Sequence, residues 1–435
     1  MKRQHGSSIT KFKAVLILFL FMVFGAALFL TGCSNGLFSG DDSITNPGGT
    51  KDNNLVKNYS GVIEPVVFMH ISDSHFGLKT SQGEDITKAF FTYVVPGVNP
   101  LAVIHTGDMI DQGPMQDYWK SYKSVVTDTQ TYPKYVDILG NHDVKKLLNL
   151  DGKIFYNDYS VTGKAGGGYY GITNLDNTIP VCLIRTNTAA ADRSYLDYNL
   201  KNIDGYFTQD QLDYITDKLK SSPAAAFNVV LGHHPVKSSV TGSEVKQISV
   251  GNDLMKGLIA QVAAPIYLCG HVHTPATTWL ENPPINTLVV QADDFGKNGF
   301  PSSFYLVAYD MFTGPAAKLV KVNNAGSTIV DWPIIFITSP ADSKLGGVNP
   351  HAKNYSTGGA NPQLQVKIYT NEEGADMSVM CNIGGGSWNV LRNTADNFWE
   401  YSIPVNTLTP GDNTVRVQAK QTGDTVESSI TIKIN

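Results

Sequence analysis

Seven residues of this chain have side chains that bind cations, and they fall where a fold could bring them together: Asp73, His75, Asp108, Asn141, His233, His271 and His273. All of them follow apolar runs that read as buried strands. Val66–Ile71 leads into Asp73-Ser74-His75. Leu101–Ile104 leads through His105-Thr106 into Gly107-Asp108, and Tyr135–Leu139 into Gly140-Asn141-His142-Asp143. Phe227–Leu231 leads into Gly232-His233-His234-Pro235, and Pro265–Cys269 into Gly270-His271-Val272-His273. Open α/β sheets present ligands at the carboxyl ends of their strands. Asp73 and His75 are two apart, as are His271 and His273, and on an extended segment such pairs point the same way. One tetrahedral ion needs only four ligands. This larger set suits two cations that share a carboxylate.

In this order, Asp-x-His (73–75), Gly-Asp (107–108), Gly-Asn-His-Asp (140–143), Gly-His (232–233) and Gly-His-x-His (270–273) resemble the calcineurin-like metallophosphoesterase superfamily. The resemblance covers residues 61–330. It implies two sheets face to face with helices outside, a four-layer α/β/β/α domain. It also implies that Asp73, His75, Asp108 and His273 hold one divalent ion. Asp108, Asn141, His233 and His271 hold the other, with Asp108 bridging. His142 would protonate the leaving oxygen and Asp143 would orient its ring. Imidazole suits that task because its unperturbed pKa lies near working pH. The family shows His-x-Pro at the fourth motif, so His233 is chosen over His234. Purple acid phosphatases of this superfamily carry Tyr where this chain has Asp111, so no phenolate-to-iron site is expected. Mixed imidazole, carboxylate and amide ligands favour manganese, iron or zinc over magnesium. The implied reaction is hydrolysis of a phosphate monoester or diester by attack of a metal-bound hydroxide.

The chain has 435 residues, too many for one ordinary domain. Hydrophobic residues make up 42%, enough for sizeable cores, and charged residues 16%, with a formal net charge of −5. No basic run lies beyond the N-terminus, so extended nucleic-acid binding is not expected.

Residues 1–33 read as a secretory signal. Lys2, Arg3, Lys11 and Lys13 precede the apolar run Ala14–Leu30. The run ends in Leu30-Thr31-Gly32-Cys33, which resembles a bacterial lipobox with cleavage before Cys33 and acylation of its thiol. An uncleaved anchor is the plainer reading, but the run sits at the short limit of about 17–25 residues for a spanning helix. The expected place is therefore the bacterial cell envelope: extracytoplasmic, and membrane-anchored through an N-terminal lipid. Residues 34–60, rich in Gly, Asn, Asp and Ser, read as a flexible tether. Cys182 and Cys269 lie in apolar strands and read as small buried hydrophobes.

Further along, Glu84–Val95 reads as a helix closed by Pro96. Asp151–Gly171 reads as a connecting loop whose tyrosines pack on a sheet edge, with a substrate lid as the other reading. Asn187 and Asp192 could reach substrate, although turn chemistry explains both equally well. Thr208–Lys220 reads as a helix with a Thr208/Gln211 capping box, and Asn252–Val262 as another. Thr287–Ala292, Phe304–Asp310 and Ala317–Val322 would complete a second sheet. From residue 331 to 435 no helical periodicity remains. Short alternating runs separated by Gly384-Gly385-Gly386 and Pro410-Gly411-Asp412 argue for an all-β sandwich. Leu408–Val415 resembles a turn of bacterial immunoglobulin-like domains.

His70, His105 and His234 are read as hydrogen-bonded bystanders, with contact to the ligands as the other reading, and Asp111 as a helix cap in preference to a support of the site. A second reading, from another class, makes the chain a surface adhesin in which the sandwich binds a cell-surface partner and the α/β domain is scaffold. Replacement of Asp108 or His271 would favour it, and neither is replaced.

Overall fold

The strand Val66–Ile71 (β1) is apolar on both faces, and the alternation of its side chains sets the layering. Val66 and Phe68 turn to one side, Val67, Met69 and Ile71 to the other, and both sides are buried. A strand buried on two faces must be covered twice, and here a second sheet covers one face and helices the other. This computed structural model describes residues 58–59, 62–127, 134–147, 150–175, 179–189, 205–223, 225–243, 246–282, 284–371, 377–421 and 424–435. The expected signal segment, Cys33, Asp192 and all of the tether except Asn58–Tyr59 lie outside them.

β1 pairs in parallel with Ala102–His105 (β2), which pairs in parallel with Lys134–Asp137 (β3). The second sheet is built from Gly171–Leu175 (β4), Val181–Arg185 (β5), Phe227–Leu231 (β6), Ile266–Cys269 (β7), Ala276–Asn282 (β8) and Ile285–Gln291 (β9). Its order is β8-β9-β7-β6-β5-β4, with β5, β6, β7 and β9 parallel. Ser302–Asp310 (β10) and Gly314–Val322 (β11) return to the first sheet, where β10 runs antiparallel to β1. Of the three late strands expected to finish the second sheet, only β9 does so.

The outer layers are helical. Gly83–Ala89 (α1), Gln116–Thr127 (α2) and Gly152–Tyr159 (α3) cover the first sheet with Ile86, Trp119, Tyr122 and Tyr156. Gln209–Lys220 (α4) and Asn252–Gln261 (α5) cover the second with Ile215, Met255, Leu258 and Ile259. The result is the α/β/β/α arrangement. Pro96 does not close α1. The chain passes through a π-helical turn at Phe90–Val94, which absorbs the register change, and continues over Val95–Val98 to a left-handed Asn99. The segment 151–171 contains α3 and is not simply a loop. Thr208 caps α4 through the Gln211 N–H at 3.2 Å. The Gln211 amide does not complete the capping box, but holds the main chain of Asn187 at both its N–H (3.0 Å) and its carbonyl (2.9 Å).

Ile334–Ser339 (β12) joins the two domains. Ile335 and Ile337 enter the sandwich core, whereas Ile334 and Phe336 pack with Phe304 and Val320 of the first domain. Burying each such side chain contributes about 1.5–3 kcal/mol. The sandwich comprises one sheet of β12, Gln363–Tyr369 (β13), Phe398–Ser402 (β16) and Arg392–Ala395 (β15). The other holds Met377–Ile383 (β14), Gly411–Gln421 (β17), Asp424–Ile434 (β18) and two short edge strands, Asn354–Tyr355 and Trp388–Val390.

Candidate metal centre

The seven donors stand at the carboxyl ends of β1, β2, β3, β6 and β7, just beyond the last strand residue. Asp73, His75, Asp108, His271 and His273 all have positive φ, between 46° and 69°, and among the described residues only three other non-glycine residues do. Each such conformation costs of order 1 kcal/mol or more. The pairs two residues apart therefore converge through left-handed turns, and not through strand alternation as their spacing suggested. Glycines make the turns possible by close approach. A Cβ on Gly140 would stand 2.3 Å from Asp108 Oδ1, and one on Gly270 would stand 2.4 Å from Asp73 Oδ2.

Main-chain N–H groups hold one oxygen of each central carboxylate. His271 N donates to Asp73 Oδ2 at 2.9 Å, and His142 N donates to Asp108 Oδ1 at 2.7 Å. The other oxygen of each faces imidazoles. Asp73 Oδ1 is 3.1 Å from His273 Nε2 and 3.9 Å from His75 Nε2. Asp108 Oδ2 is 3.4 Å from His233 Nε2 and 3.7 Å from His75 Nε2. Donor atoms of Asp73, His75, Asp108 and His273 all lie within 4.8 Å of one another, as do those of His233, His234 and His271. Asn141 Oδ1 reaches to 3.0 Å from His233 Nε2. Asp108 Oδ2 and His75 Nε2 are buried and make no hydrogen bond. Buried polar atoms ordinarily have partners, and inward-facing orphans among carboxylates and imidazoles fit divalent cations.

The hydrogen bonds also fix which ring nitrogen is bare. His233 Nδ1 lies 2.8 Å from the Thr106 carbonyl, which can only accept, so Nδ1 keeps its hydrogen and Nε2 is the nitrogen that would give up a proton to bind a cation. At His234 the order reverses. Thr188 Oγ1 accepts from the N–H groups of His233 (3.1 Å) and His234 (3.0 Å), which fills its lone pairs. Its own hydrogen then goes to His234 Nδ1 at 3.0 Å. That leaves the single ring hydrogen of His234 on Nε2, so His233 is the better ligand of the two. Behind the centre, His105 Nδ1 accepts from Gly107 N at 3.2 Å, so Nε2 donates to Ser74 Oγ at 2.9 Å.

Charge follows the same layout. Burial pulls His75 down to about 4 and, with His233 beside it, His271 down to about 3. Burial also opposes protonation of His233, but the Asp108 carboxylate outweighs it and raises His233 to about 9. Burial alone would raise Asp73 and Asp108. Neighbouring imidazoles, His273 for the first and His233 for the second, instead hold both well below the usual carboxylate range.

A sequence model of the calcineurin-like phosphoesterase family matches residues 66–275, the stretch that carries every donor described above. The chain contains a calcineurin-like phosphoesterase domain. Such a domain is that of a metal-dependent enzyme that hydrolyses phosphate esters.

No curated protein sequence matches the chain. Among solved structures, the fold is similar to GAP50, the anchor in the inner membrane complex of Plasmodium (14% identity, TM-score 0.42, covering 61% of this chain and 88% of that one). It is similar too to a 5'-nucleotidase from Staphylococcus aureus (14%, 0.39, 62% and 56%). A third is a purple acid phosphatase from yellow lupin (13%, 0.45, 63% and 54%). The chain thus spans little more than half the length of the latter two. At such scores these likenesses bear on neither activity nor substrate.

At the open side of the phosphoesterase centre lies His142, whose Nε2 is 4.0 Å from Asp108 Oδ2. Asp143 does not orient its ring. The Asp143 carboxylate is fully buried and accepts from Ile110 N at 3.0 Å and Gly140 N at 2.8 Å, so it clasps two loops. Asp111 takes the orienting place. Its main-chain oxygen lies 2.8 Å from His142 Nδ1 and its carboxylate 3.3 Å away, with His75 Nδ1 at 3.5 Å. Those two imidazoles, His142 foremost, hold Asp111 well below the usual range. It is not a helix cap, since α2 begins at Gln116. The sequence signal was its place three residues after Asp108. Lys145, missed in the sequence, brings Nζ to 2.6 Å from His142 Nδ1. Asn187, weighed as a substrate contact, is 2% exposed and tied to Gln211.

Proposed function

We propose that this chain is a membrane-tethered dinuclear phosphoesterase. In this reading Asp73, His75, Asp108 and His273 hold one divalent ion, and Asp108, Asn141, His233 and His271 the other. The observation that carries it is the convergence of imidazoles from distant strand ends on the buried, unbonded Asp108 Oδ2, with His233 Nε2 at 3.4 Å and His75 Nε2 at 3.7 Å. When bound, the two ions supply Lewis-acid activation of the ester and of the attacking water. The neutral amide of Asn141 limits the negative charge around the site. His142, whose side chain is 20% exposed where those of Asp73, His75, Asp108 and His233 are 0–1% exposed, faces the incoming ester and passes a proton to the leaving oxygen. Asp111 fixes the ring for that transfer.

The envelope location rests on the basic segment, the apolar run Ala14–Leu30 and Gly32-Cys33. The sandwich, immunoglobulin-like in this reading, is carried on the same anchor. Hydrolysis of chromogenic phosphate esters by the full-length chain, with manganese, zinc or iron supplied in turn, tests the enzymatic reading. Failure with every metal would refute it. Incorporation of labelled fatty acid, abolished by Cys33→Ser, tests the anchor.

A further inference from the structure

The mouth of the centre can be located from exposure. The side chains of Asp73, His75, Asp108 and His233 are 0–1% exposed, whereas those of His142, His273 and Asp111 reach 20%, 19% and 13%. Lys145 stands at this mouth, half-buried. Its Nζ donates to the Asp111 main-chain oxygen at 3.2 Å and lies 2.6 Å from His142 Nδ1 and 3.4 Å from Nε2. The ammonium thus lies against the His142 ring at the mouth of the centre. Its nearest partners, a carbonyl and an imidazole, bring no negative charge. Burial lowers the Lys145 pKa, although the Asp108 and Asp111 carboxylates act to raise it. A half-buried cation with a shifted pKa at the mouth of a cleft marks a group that can meet a ligand.

We propose that Lys145 binds the second negative charge of a phosphate monoester, so that the centre prefers monoester dianions to diester monoanions. This rests on the phosphoesterase reading and narrows its substrate class. A phosphate monoester carries nearly two charges near neutrality, and a diester carries one. The carboxylates of the centre are directed to the cations, which leaves Lys145 to meet the extra charge of the ester.

The test uses the full-length, manganese-loaded chain with 4-nitrophenyl phosphate and bis(4-nitrophenyl) phosphate. These share a leaving group and differ in charge. The wild type should favour the monoester. Lys145→Met should lower kcat/KM for the monoester about 10- to 100-fold and for the diester much less, as expected for loss of one charged hydrogen bond. Lys145→Arg should retain most of the preference. The melting temperature of the metal-free Lys145→Met protein should stay close to that of the wild type, so that the change reads on the ester and not on the fold. A wild type that favours the diester, an equal fall for both esters, or a metal-free variant that melts lower or does not fold would overturn the assignment. A wild type that cleaves neither ester would overturn the phosphoesterase reading, and with it the role of Lys145.

Discussion

His233 Nε2 lies 3.0 Å from Asn141 Oδ1, and these two residues come from different sheets. The contact joins the carboxyl ends of β3 and β6 across the sandwich of sheets. An imidazole lone pair and an amide oxygen at that distance repel each other unless a proton or a cation sits between them. In the metal-free protein the proton on His233, held to about 9 by Asp108, meets this need. On the proposed reading, a divalent cation held by the two residues would meet it in the loaded enzyme. Asn141→Ala should therefore reduce bound metal from two ions to about one per chain and lower phosphodiester hydrolysis by at least about 100-fold. Metal analysis beside a chromogenic assay reads both. Full activity in the variant would contradict the role of Asn141.

Asp111 and Asp143 separate by their consequences. Asp143→Ala leaves two buried N–H groups, of Ile110 and Gly140, without their acceptor. It should cost about 2–4 kcal/mol of stability, read as a lower denaturation midpoint. Asp111→Ala removes a partly exposed carboxylate that touches two rings. Its midpoint should stay near wild type while kcat falls. Loss of stability in Asp111→Ala with normal turnover would return it to a structural role.

Much of this was legible from short motifs. Glycine followed by Asp, Asn or His after an apolar run marks a strand end, and those spacings picked out seven residues that the strand ends bring together. The left-handed turns that aim Asp73, His75, Asp108, His271 and His273 were not legible, because non-glycine residues rarely adopt them and the structure around them imposes them. Lys145 was missed, and Asp111 was read as a cap in preference to a support of the site, for a related reason. Each sits in a loop whose course is set by Asp143 bridging Ile110 and Gly140, which no local pattern encodes. Pro96 looked like a terminator, and the π-turn before it supplied another way through. The return of β10 and β11 to the first sheet is a pairing of distant segments, and apolar alternation alone does not choose between two sheets.

Asp293, at the end of β9, is partly buried and raised to about 6, chiefly by burial. Its folded pKa lies above the unfolded 3.8, so the folded state binds more protons between these values. Its ionisation should therefore weaken the fold as pH rises from about 4 to about 6. The loss then persists above that window. Asp293→Asn should make the metal-free protein more stable than wild type at neutral pH by roughly 1 kcal/mol, after allowance for screening at a partly exposed group. The two should converge near the acid end of the window. Thermal melts across the range check the sign. A variant less stable than wild type at neutral pH would contradict it.

Removal of metal should be felt in stability as well as activity. Asp73 and Asp108 are buried side by side, and five strained turns support their loops. Cations bound only by the folded state stabilise it by mass action. Chelation should lower the melting temperature by several degrees, reversibly on adding manganese. Identical melts with and without chelator would argue against preformed sites.

The most direct measurement is the number of metal ions per chain in the reconstituted full-length protein, compared with Asp108→Asn. The bridging role predicts two ions in the wild type and fewer than one in the variant, whose fold survives because an amide oxygen still accepts from His142 N. A wild type that binds no ion, or a count that Asp108→Asn leaves unchanged, would contradict the dinuclear centre.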